Sequence, residues 1–487
     1  MASTSIASPL PEQTHQQVQI RLTTRHPDIT ISSPAPLLVP TSLRRYGLSQ
    51  VVNHLLETPE PIPFDFLIDG VFLKTSLDEY LTANGLSAES TVTLEYVRSV
   101  LPPVYKSSFV NEDWVSSVAV LVGRVGVDGK GKGEFLKENE GRVLAGGYDG
   151  VARVWDVTGS GKVFGIASGH QGAVKTVGWI AQKRFLTGSI DQTVRLWGYD
   201  EPVIDDDLMI DNHDDEKPRG IVSPIAEFLG HKGVINCLSI HTPTNHFLTA
   251  SSDGTIGLWS TNPTSSPPAP AQPPAPRHIK KRRTTSSALP KLGSLTILSQ
   301  PNPTTSSPQP VSAAIFHPHD PTVSYSATWS HTLLTHDLTT TTLISTLTTP
   351  HPIISLTNLP SLSLLAAGSS ARHITLHDPR ASATAISQAT LRGHTNAVVS
   401  LSPSPGSEFL LASGSHDGTV RIWDVRAVGM GVASSQGEGG DRGAGSLFTI
   451  KRESGEGGKV FGVQWEREVG IVSGGEDRRV QINNGVG

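Results

Sequence analysis

The chain has little cysteine, few aromatic residues and few charged ones. Its 487 residues include one cysteine, with 6% aromatic and 17% charged residues. The lone Cys237 cannot form a disulfide within the chain, which fits an intracellular setting, and the alternating run GVINCLSI around it predicts a buried core thiol. The net charge of −5 gives no overall basic field, so composition does not favour a nucleic-acid-binding protein.

Long apolar runs and catalytic signatures are also missing. No apolar stretch reaches the roughly 18 residues of a membrane-spanning helix, so none is expected. The N-terminal MASTSIASPLPEQTHQQ has neither the basic start nor the apolar region of a signal peptide. The sequence contains no GxxxxGK[ST], HExxH or CxxC pattern, which disfavours a phosphate loop and a zinc site.

Turn-forming residues are abundant, and one short pattern recurs. The 47 glycines and 35 prolines favour many short strands over long helices. SGSHDGTVRIWDV (413–425) has four clear relatives and two weaker ones: GYDGVARVWDV (147–157), GSIDQTVRLW (188–197), SSDGTIGLW (251–259), GGEDRRVQI (474–482), ATWSHTLLTHDL (327–338) and GSSARHITLHDP (368–379). Three copies follow a Gly-His pair by a spacing of 27 to 29 residues from His to Trp.

These copies resemble WD repeats, each of which forms one four-stranded blade of a β-propeller. The resemblance implies that His, a Ser or Thr, the turn Asp and the Trp form a buried hydrogen-bonded chain, since buried polar groups must be paired. The expected structural residues are His170, Asp191, Trp197, His231, Asp253, Trp259, His394, Asp417 and Trp423. Seven repeat ends predict seven blades over 109–487, and a strand within 99–108 could close the last one.

A hydrolase is the alternative interpretation of the same stretch. Ser415, His416, Asp417 and Thr419 stand together, and serine, histidine and aspartate are the residues of a nucleophilic triad. A catalytic set occurs once in a chain, whereas this pattern recurs, so a scaffold role is favoured over an enzyme.

The N-terminal part has a different pattern. Residues 1–16 are polar and are expected to be disordered. The next 82 residues, 17–98, predict strands at 18–24 and 29–40, a helix at 42–57 capped by Ser42, a hairpin at 64–73 around Asp69-Gly70, a helix at 76–85 between Ser76 and Gly85, and a strand at 91–97. This order resembles a ubiquitin-like β-grasp domain, so the predicted fold is mainly β: an α+β β-grasp domain followed by a seven-bladed propeller.

Three predicted inserts, at 201–225, 261–306 and 427–455, have compositions that cannot form a core. The first is acidic and the last is rich in glycine. The second is rich in proline and serine and contains a basic cluster, which could be a nuclear localisation signal or an RNA contact: Arg277, Lys280, Lys281, Arg282 and Arg283.

The two modules together resemble the Ytm-type ribosome biogenesis WD-repeat proteins, the WD-repeat members of the Pescadillo–Bop complex. The resemblance rests on SLRRYGLSQVVNHLL, PFDFLIDG, FLKTSLDEYL and SFVNEDWVSSV. It implies a non-enzymatic factor of large-subunit assembly and rRNA processing, present in the nucleus, nucleolus and nucleoplasm. The implied partners are a Bop-type WD-repeat protein, a Pescadillo-type protein, the pre-ribosomal particle and the ring ATPase midasin, which holds the ubiquitin-like domain and releases the complex.

The resemblance also assigns one contact residue. Family members carry an acid before the last β-grasp strand that completes the Mg²⁺ coordination of the midasin adhesion-type domain. In GLSAESTVTLEY this acid is Glu89, so the chain is expected to have no cofactor of its own while Mg²⁺ is held by the partner. Asp65, Asp69 and Glu95 are the weaker rivals. The remaining functional alternative is a substrate receptor of a ubiquitin ligase.

Overall fold

The computed structural model describes residues 16–31, 35–58, 60–87, 89–122, 141–157, 163–200, 220–270, 289–299, 309–380, 389–427, 445–452 and 458–484. The predicted disordered N-terminus, except Gln16, and the basic cluster lie outside these ranges. The chain divides into two units, Met1–Leu101 with Arg426–Glu438, and Pro102–Val425 with Gly439–Gly487. No helix in the described ranges is long and apolar enough to cross a membrane.

The N-terminal unit contains one mixed sheet and two helices. Its elements are β1 (Gln17–Thr23), β2 (Leu37–Pro40), α1 (Arg45–Leu56), β3 (Phe64–Ile68), β4 (Val71–Phe72), α2 (Leu77–Asn84) and β5 (Val92–Arg98). The strand order is β2-β1-β5-β3-β4, and β1 runs parallel to β5 at the centre. This is the predicted β-grasp arrangement.

Alternating apolar residues form the core of this unit. Val18, Ile20 and Leu22 of β1 pack with Leu48 and Val52, which lie one turn apart on α1. Ser76 caps α2 as predicted, because its hydroxyl accepts a hydrogen bond from the Glu79 N–H at 3.3 Å.

Two local predictions were wrong. Helix α1 begins after Arg44, not at Ser42, and no side chain caps it. The predicted strand 29–40 is shorter and starts at Leu37, while Pro27–Ile29 forms a 3₁₀ turn. Pro36, directly before Leu37, has no N–H to donate to the ladder, which fits the late start of the strand.

The second unit consists of antiparallel four-stranded sheets, one of which gains a fifth strand. In chain order its strands are β6 (Val104–Val110), β7 (Val115–Val122), β8 (Gly141–Gly147), β9 (Val151–Asp156), β10 (Val163–Ser168), β11 (Val174–Ala181), β12 (Arg184–Ser189), β13 (Val194–Asp200), β14 (Ile221–Phe228), β15 (Ile235–His241), β16 (His246–Ser251), β17 (Thr255–Ser260), β18 (Lys291–Leu292), β19 (Thr296–Ser299), β20 (Val311–Phe316), β21 (Val323–Thr328), β22 (Thr332–Asp337), β23 (Leu343–Thr348), β24 (Ile353–Leu359), β25 (Leu364–Ser369), β26 (His373–His377), β27 (Ala389–Arg392), β28 (Val398–Pro403), β29 (Leu410–Ser415), β30 (Thr419–Asp424), β31 (Phe448–Lys451), β32 (Val460–Glu466), β33 (Gly470–Gly475) and β34 (Arg479–Asn484).

The sheets form a closed ring. The inner strands β7, β11, β15, β20, β24, β28 and β32 each contact the next, and β32 contacts β7. We number the seven sheets of the described residues as blades 1 to 7 in that order. They are consistent with the predicted seven-bladed propeller.

The last blade is completed from the start of the unit. Strand β6 pairs antiparallel with β34, with Phe109 opposite Val480 and Ser107 opposite Ile482. The expected closing strand within 99–108 therefore corresponds to Val104–Val110, and the first inner strand begins at Val115 rather than 109. Pairing an early strand with the last one leaves blade 7 without an open edge at β34.

The three predicted inserts were drawn too wide. Strand β14 begins at Ile221 inside 201–225, β18 and β19 lie inside 261–306, and β31 lies inside 427–455. These strands are outer strands of their blades, or, for β18, a parallel addition to β14. Outer strands bury only part of one face, so their apolar alternation is weak.

Apolar residues of neighbouring blades share cores. Leu144 and Val154 of blade 1 pack in one cluster with Val177, Phe185 and Trp197 of blade 2. Because each blade buries a face against its neighbour, the ring folds as one body. Cys237 packs against two such clusters, and burial raises the pKa of its thiol, as expected of a core thiol, although the residue as a whole keeps some exposed surface.

Candidate functional site

Glu89 lies in the loop that joins α2 to β5. Gly85 ends α2 with a left-handed φ of +64°, a conformation that suits glycine. The N–H groups of Gly85 and Leu86 donate to the carbonyls of Thr82 and Leu81 at 3.2 and 2.9 Å. This pair of hydrogen bonds forms a Schellman cap, which fixes the direction in which the chain leaves the helix.

The backbone around Glu89 is fixed by a second set of hydrogen bonds. The Ser90 N–H and hydroxyl both donate to the Ser87 carbonyl, at 3.2 and 2.7 Å, and the Glu89 N–H donates to the Ser87 hydroxyl at 3.2 Å. Thr91 donates its hydroxyl to the side-chain oxygen of Gln19 at 2.8 Å. The loop is therefore tied to itself and to β1.

The Glu89 side chain is exposed, and its carboxylate forms no ion pair with any described residue. The rival acids are already engaged. Asp65 pairs with Arg45 at 2.5 Å, and Glu95 pairs with Arg25 at 3.1 Å with only 19% of its side chain exposed. Asp69 occupies the hairpin turn with a φ of +49°.

A metal bound at Glu89 would receive one ligand from it. No group of three His, Cys, Asp or Glu side chains in the described part of the chain is arranged to hold a metal ion. A single exposed carboxylate fits the chemistry of Mg²⁺, which often takes one or two carboxylates in a larger set of oxygen ligands.

The propeller holds the predicted WD residues in three matching sets. In blade 6 the His394 Nδ1 lies 2.8 Å from Asp417 Oδ2, and its Nε2 lies 2.7 Å from the Ser413 hydroxyl, which accepts the Trp423 N–H at 2.7 Å. Because Trp only donates and a carboxylate only accepts, the protons run from Trp to Ser to His to Asp, and His394 carries its proton on Nδ1.

Blades 2 and 3 repeat this chain with threonine in place of Ser413. Thr187 and Thr249 lie 2.7 Å from the Nε2 atoms of His170 and His231. The remaining members are Asp191 and Trp197 in blade 2, and Asp253 and Trp259 in blade 3.

The arrangement has the connectivity of a catalytic triad, but the Ser413 hydroxyl is not accessible to a substrate. Ser413 is fully buried and its oxygen already accepts the Trp423 N–H, so no substrate carbonyl can reach it. The hydrolase alternative, which was based on Ser415 and His416, is not supported either. The Ser415 hydroxyl donates to the Asn396 carbonyl, and the His416 ring packs on Phe461. These hydroxyls hold the blades together.

The three turn aspartates remain charged at neutral pH. Burial alone would raise the pKa of Asp417, but hydrogen bonds from His394 and Thr419 outweigh it and hold the pKa well below its usual range. The pKa values of Asp191 and Asp253 are lowered in the same way, against burial, by His170 and His231.

Blade 7 contains a related network that the sequence did not predict. Arg452 donates to both carboxylate oxygens of Asp477, at 2.6 and 2.9 Å, and to the Ser473 hydroxyl at 2.7 Å. Asp477 and Ser473 correspond to Asp417 and Ser413, so Arg452 takes the place of histidine. Arg452 lies within the predicted insert 427–455, and no Gly-His pair precedes this blade in the sequence.

Comparison with known proteins places both units. Residues 18–81 match the family described as the NLE (NUC135) domain. The WD domain, G-beta repeat family matches 161–198, 222–260 and 386–424, which contain the three His–Asp–Trp sets.

Relatives align over nearly the whole chain. A ribosome biogenesis protein ytm1 from Neosartorya fischeri is 46% identical over 493 residues, covering 97% of this chain and 96% of the relative. The protein of the same name from Aspergillus oryzae is 46% identical, covering 100% and 98%, and that from Ajellomyces capsulatus is 44% identical, covering 98% and 95%. The chain belongs to the Ytm1 family of ribosome biogenesis proteins.

Membership of the Ytm1 family confirms the resemblance seen in the sequence and a role in ribosome biogenesis. The NLE match ends at residue 81, before Glu89, so the role of that residue stays a prediction. The basic cluster at 277–283 lies outside the described residues, and its role as a localisation signal also stays a prediction.

Proposed function

We propose that the chain is a non-enzymatic assembly factor of the large ribosomal subunit that links a propeller-bound partner to a mechanical ATPase. Its relatives are named for ribosome biogenesis, which supports a role on pre-ribosomal particles and a place in the nucleolus and nucleoplasm. The two units have separate cores, so each can carry its own interaction.

In this proposal the propeller binds a Bop-type WD-repeat protein in a complex with a Pescadillo-type protein. The ring gives a rigid frame for such binding, because the hydroxyls, histidines and aspartates of the three WD sets are hydrogen-bonded to one another inside the blades. Turn and loop side chains are then the groups left for a partner.

The β-grasp unit is held by midasin through Glu89, whose carboxylate completes the coordination of Mg²⁺ bound in the partner's adhesion-type domain. The observation that carries this assignment is an exposed carboxylate that no described residue pairs with, on a loop fixed by the Gly85 cap and the Ser87–Ser90 turn. Little loop entropy is lost when such a preformed loop binds.

Binding of the full-length chain to the midasin adhesion-type domain tests this role. Wild type should bind in Mg²⁺ and lose binding in EDTA. Glu89→Ala should abolish detectable binding, because the metal loses one ligand, and Glu89→Gln should do nearly the same because a neutral amide is a weaker ligand. Glu89→Asp should bind more weakly than wild type, since the shorter side chain withdraws the carboxylate.

Glu60→Gln is the matched control, since Glu60 is an exposed acid of the same unit that lies before β3 rather than before β5. It should bind like wild type. Equal binding by Glu89→Ala and wild type would move the contact to another residue. Co-purification with ubiquitin ligase subunits instead of large-subunit assembly factors would favour the substrate-receptor alternative.

A further inference from the structure

Every blade has a β-bulge directly after the first residue of its inner strand. The bulged residues are Ser116, Lys175, Asn236, Ser312, Ile354, Val399 and Phe461. A bulge breaks the alternation of side chains between the two faces of a strand and so redirects one of them, and bulges are frequent beside functional sites. The seven residues therefore occupy equivalent places around the ring.

Three of these residues are used to join blades. Ser116, Asn236 and Ser312 each donate a side-chain hydrogen bond to a backbone carbonyl of the next inner strand, at Val174, Val311 and Ile353. Their polar groups are satisfied inside the ring.

Phe461 of blade 7 instead joins a cluster of rings from three blades. Its ring centroid lies 5.8 Å from that of Tyr148 and 6.2 Å from that of Trp114, both of blade 1, and 5.5 Å from that of His416 in blade 6. Trp114 and Tyr148 lie 5.6 Å apart, edge to face. We call Trp114, Tyr148, His416 and Phe461 the aromatic cluster.

The cluster is open to solvent. Trp114 is 40% exposed, although tryptophan elsewhere in the WD sets is almost completely buried. Tyr148, His416 and Phe461 are partly buried. An exposed, edge-packed group of rings has an apolar surface that no described residue covers.

Lys175, the bulged residue of blade 2, adds a positive charge to this surface. Its Nζ lies 5.0 Å from the centre of the Tyr148 ring and 3.0 Å from the Tyr148 hydroxyl. No carboxylate in the described residues pairs with Lys175.

Three charged residues beside the cluster make contacts of their own. Asp113 accepts the Trp114 N–H at 2.8 Å, Asp149 pairs with Arg153 at 2.7 Å, and Lys459 pairs with Glu476 at 3.6 Å. Burial, with Lys459 and Lys175 nearby, lowers the pKa of His416, so this residue contributes a neutral ring at pH 7.

We propose that the aromatic cluster and Lys175 form a docking site for a segment of a partner protein that carries an acidic side chain next to an apolar one. The inference rests on the proposed function, in which the propeller binds a protein. Exposed Trp and Tyr are typical anchors of protein interfaces, and an unmatched ammonium calls for a carboxylate. A single-stranded RNA is disfavoured, because among the described residues Lys175 is the one cation seen over a ring of the cluster, and phosphate binding needs several cations.

Titration of a purified Bop-type protein against the full-length chain is the first test. Trp114→Ala and Phe461→Ala should each weaken binding about 10- to 100-fold, as hot-spot truncations do. Lys175→Gln should weaken binding less than the aromatic substitutions do. Its affinity should also fall less than that of wild type between about 50 and 300 mM salt, because the variant has lost a charge whose attraction salt would screen.

Trp329→Ala is the matched control. Trp329 is 48% exposed and occupies in blade 4 the turn position that His416 occupies in blade 6. It should leave affinity unchanged, and circular dichroism should be the same for all variants. Equal binding by wild type, Phe461→Ala and Lys175→Gln would overturn the docking site while leaving the proposed function intact.

If the Bop-type protein does not bind even the wild type, the propeller part of the proposed function is refuted. The docking site is then tested by a second measurement. A random peptide library displayed on phage is selected on the full-length chain. Peptides that pair Asp or Glu with an apolar residue should be enriched, and should lose binding to Phe461→Ala and Lys175→Gln but not to Trp329→Ala. Failure to enrich such peptides, or equal binding to all variants, would overturn the docking site.

A twelve-nucleotide oligouridine, followed by fluorescence anisotropy, covers the RNA alternative. No binding that depends on Phe461 is expected. Micromolar binding that is lost in Phe461→Ala would make the surface an RNA site and would also overturn the proposal.

Discussion

Blades 6 and 4 have the same four-stranded sheet but different interiors. In blade 6 the central turn carries Asp417, and Trp423 follows at the end of β30. At the equivalent positions blade 4 has Ser330 and His336. Among the described residues, the Ser330 hydroxyl makes a local hydrogen bond, 2.8 Å from that of Thr328. Alternating strands are thus enough to form a blade, and the hydrogen-bonded chain of blade 6 stabilises a turn that can also form without it.

Blade 5 supports the same conclusion. His377 occupies the tryptophan position there, and Ala371 the aspartate position. His336 and His377 are 3% exposed, and burial lowers the pKa of each to about 4. Blades 4 and 5 therefore have a titratable side chain where blade 6 has the non-titrating Trp423, and burial in the fold disfavours protonation of that side chain.

The largest expected effect comes from removing the acid of the hydrogen-bonded chain. Asp417→Ala leaves the His394 ring and the N–H groups of Thr395 and Thr419 without their acceptor in a site where the carboxylate is 5% exposed. We expect a loss of about 3 kcal/mol in the local unfolding free energy. Hydrogen exchange of peptides covering β29 and β30 measures this.

Ser330→Ala in blade 4 is the counterpart of this change and should cost less than about 1 kcal/mol, since only a local hydroxyl contact is removed. If the two substitutions changed exchange in their own blades equally, the aspartate would not be what distinguishes these blades.

The next effect depends on pH. A buried histidine with a pKa lowered to about 4 stays neutral in the folded state, while the unfolded chain takes up a proton near pH 6.5. The stability from this difference is fully present above pH 6.5 and is lost as the pH falls toward 4. Between pH 7 and 5 we expect a loss of about 2 kcal/mol for each histidine.

Urea unfolding at pH 7 and pH 5 measures the loss, and hydrogen exchange locates it in blades 4 and 5. The double variant His336→Gln with His377→Gln should lose less stability on acidification. A residual dependence is expected, because burial also lowers the pKa values of His246, His373 and His416. An unchanged pH dependence in the double variant would show that other groups control acid sensitivity.

The difference between blades also explains what sequence could predict. His394, Asp417 and Trp423 are recognisable because Gly-His and the turn-to-Trp pattern recur at the same spacing. Arg452 is not, because it stands in a segment with no repeated motif, although its 25-residue separation from Asp477 is close to the 23 residues between His394 and Asp417. Strand β31, four residues long and paired on one side, likewise gave too little alternation to be seen.

The β-grasp unit shows the same limit. Ser76 and Gly85 were predictable as helix caps because capping is local. Glu89 could be singled out only through the family resemblance, since the ion pairs that occupy Asp65 and Glu95 join residues 20 and 70 positions apart. Spacing along the chain does not reveal such tertiary pairs.

The smallest expected effect concerns the turn residue that follows the aspartate position. In blade 6 this residue is Gly418 with a φ of +79°, whereas blade 5 has Arg372 at +70°. Left-handed backbone disfavours a residue with a Cβ atom, and Arg372 is exposed, so Arg372→Gly should stabilise blade 5 by about 0.5–1 kcal/mol. Gly418→Arg should destabilise blade 6 by a similar amount. Hydrogen exchange measures both effects: it should be slower in β25 and β26 of Arg372→Gly and faster in β29 and β30 of Gly418→Arg. If Arg372→Gly instead loosened blade 5, the arginine side chain would have to make contacts that outweigh its backbone strain.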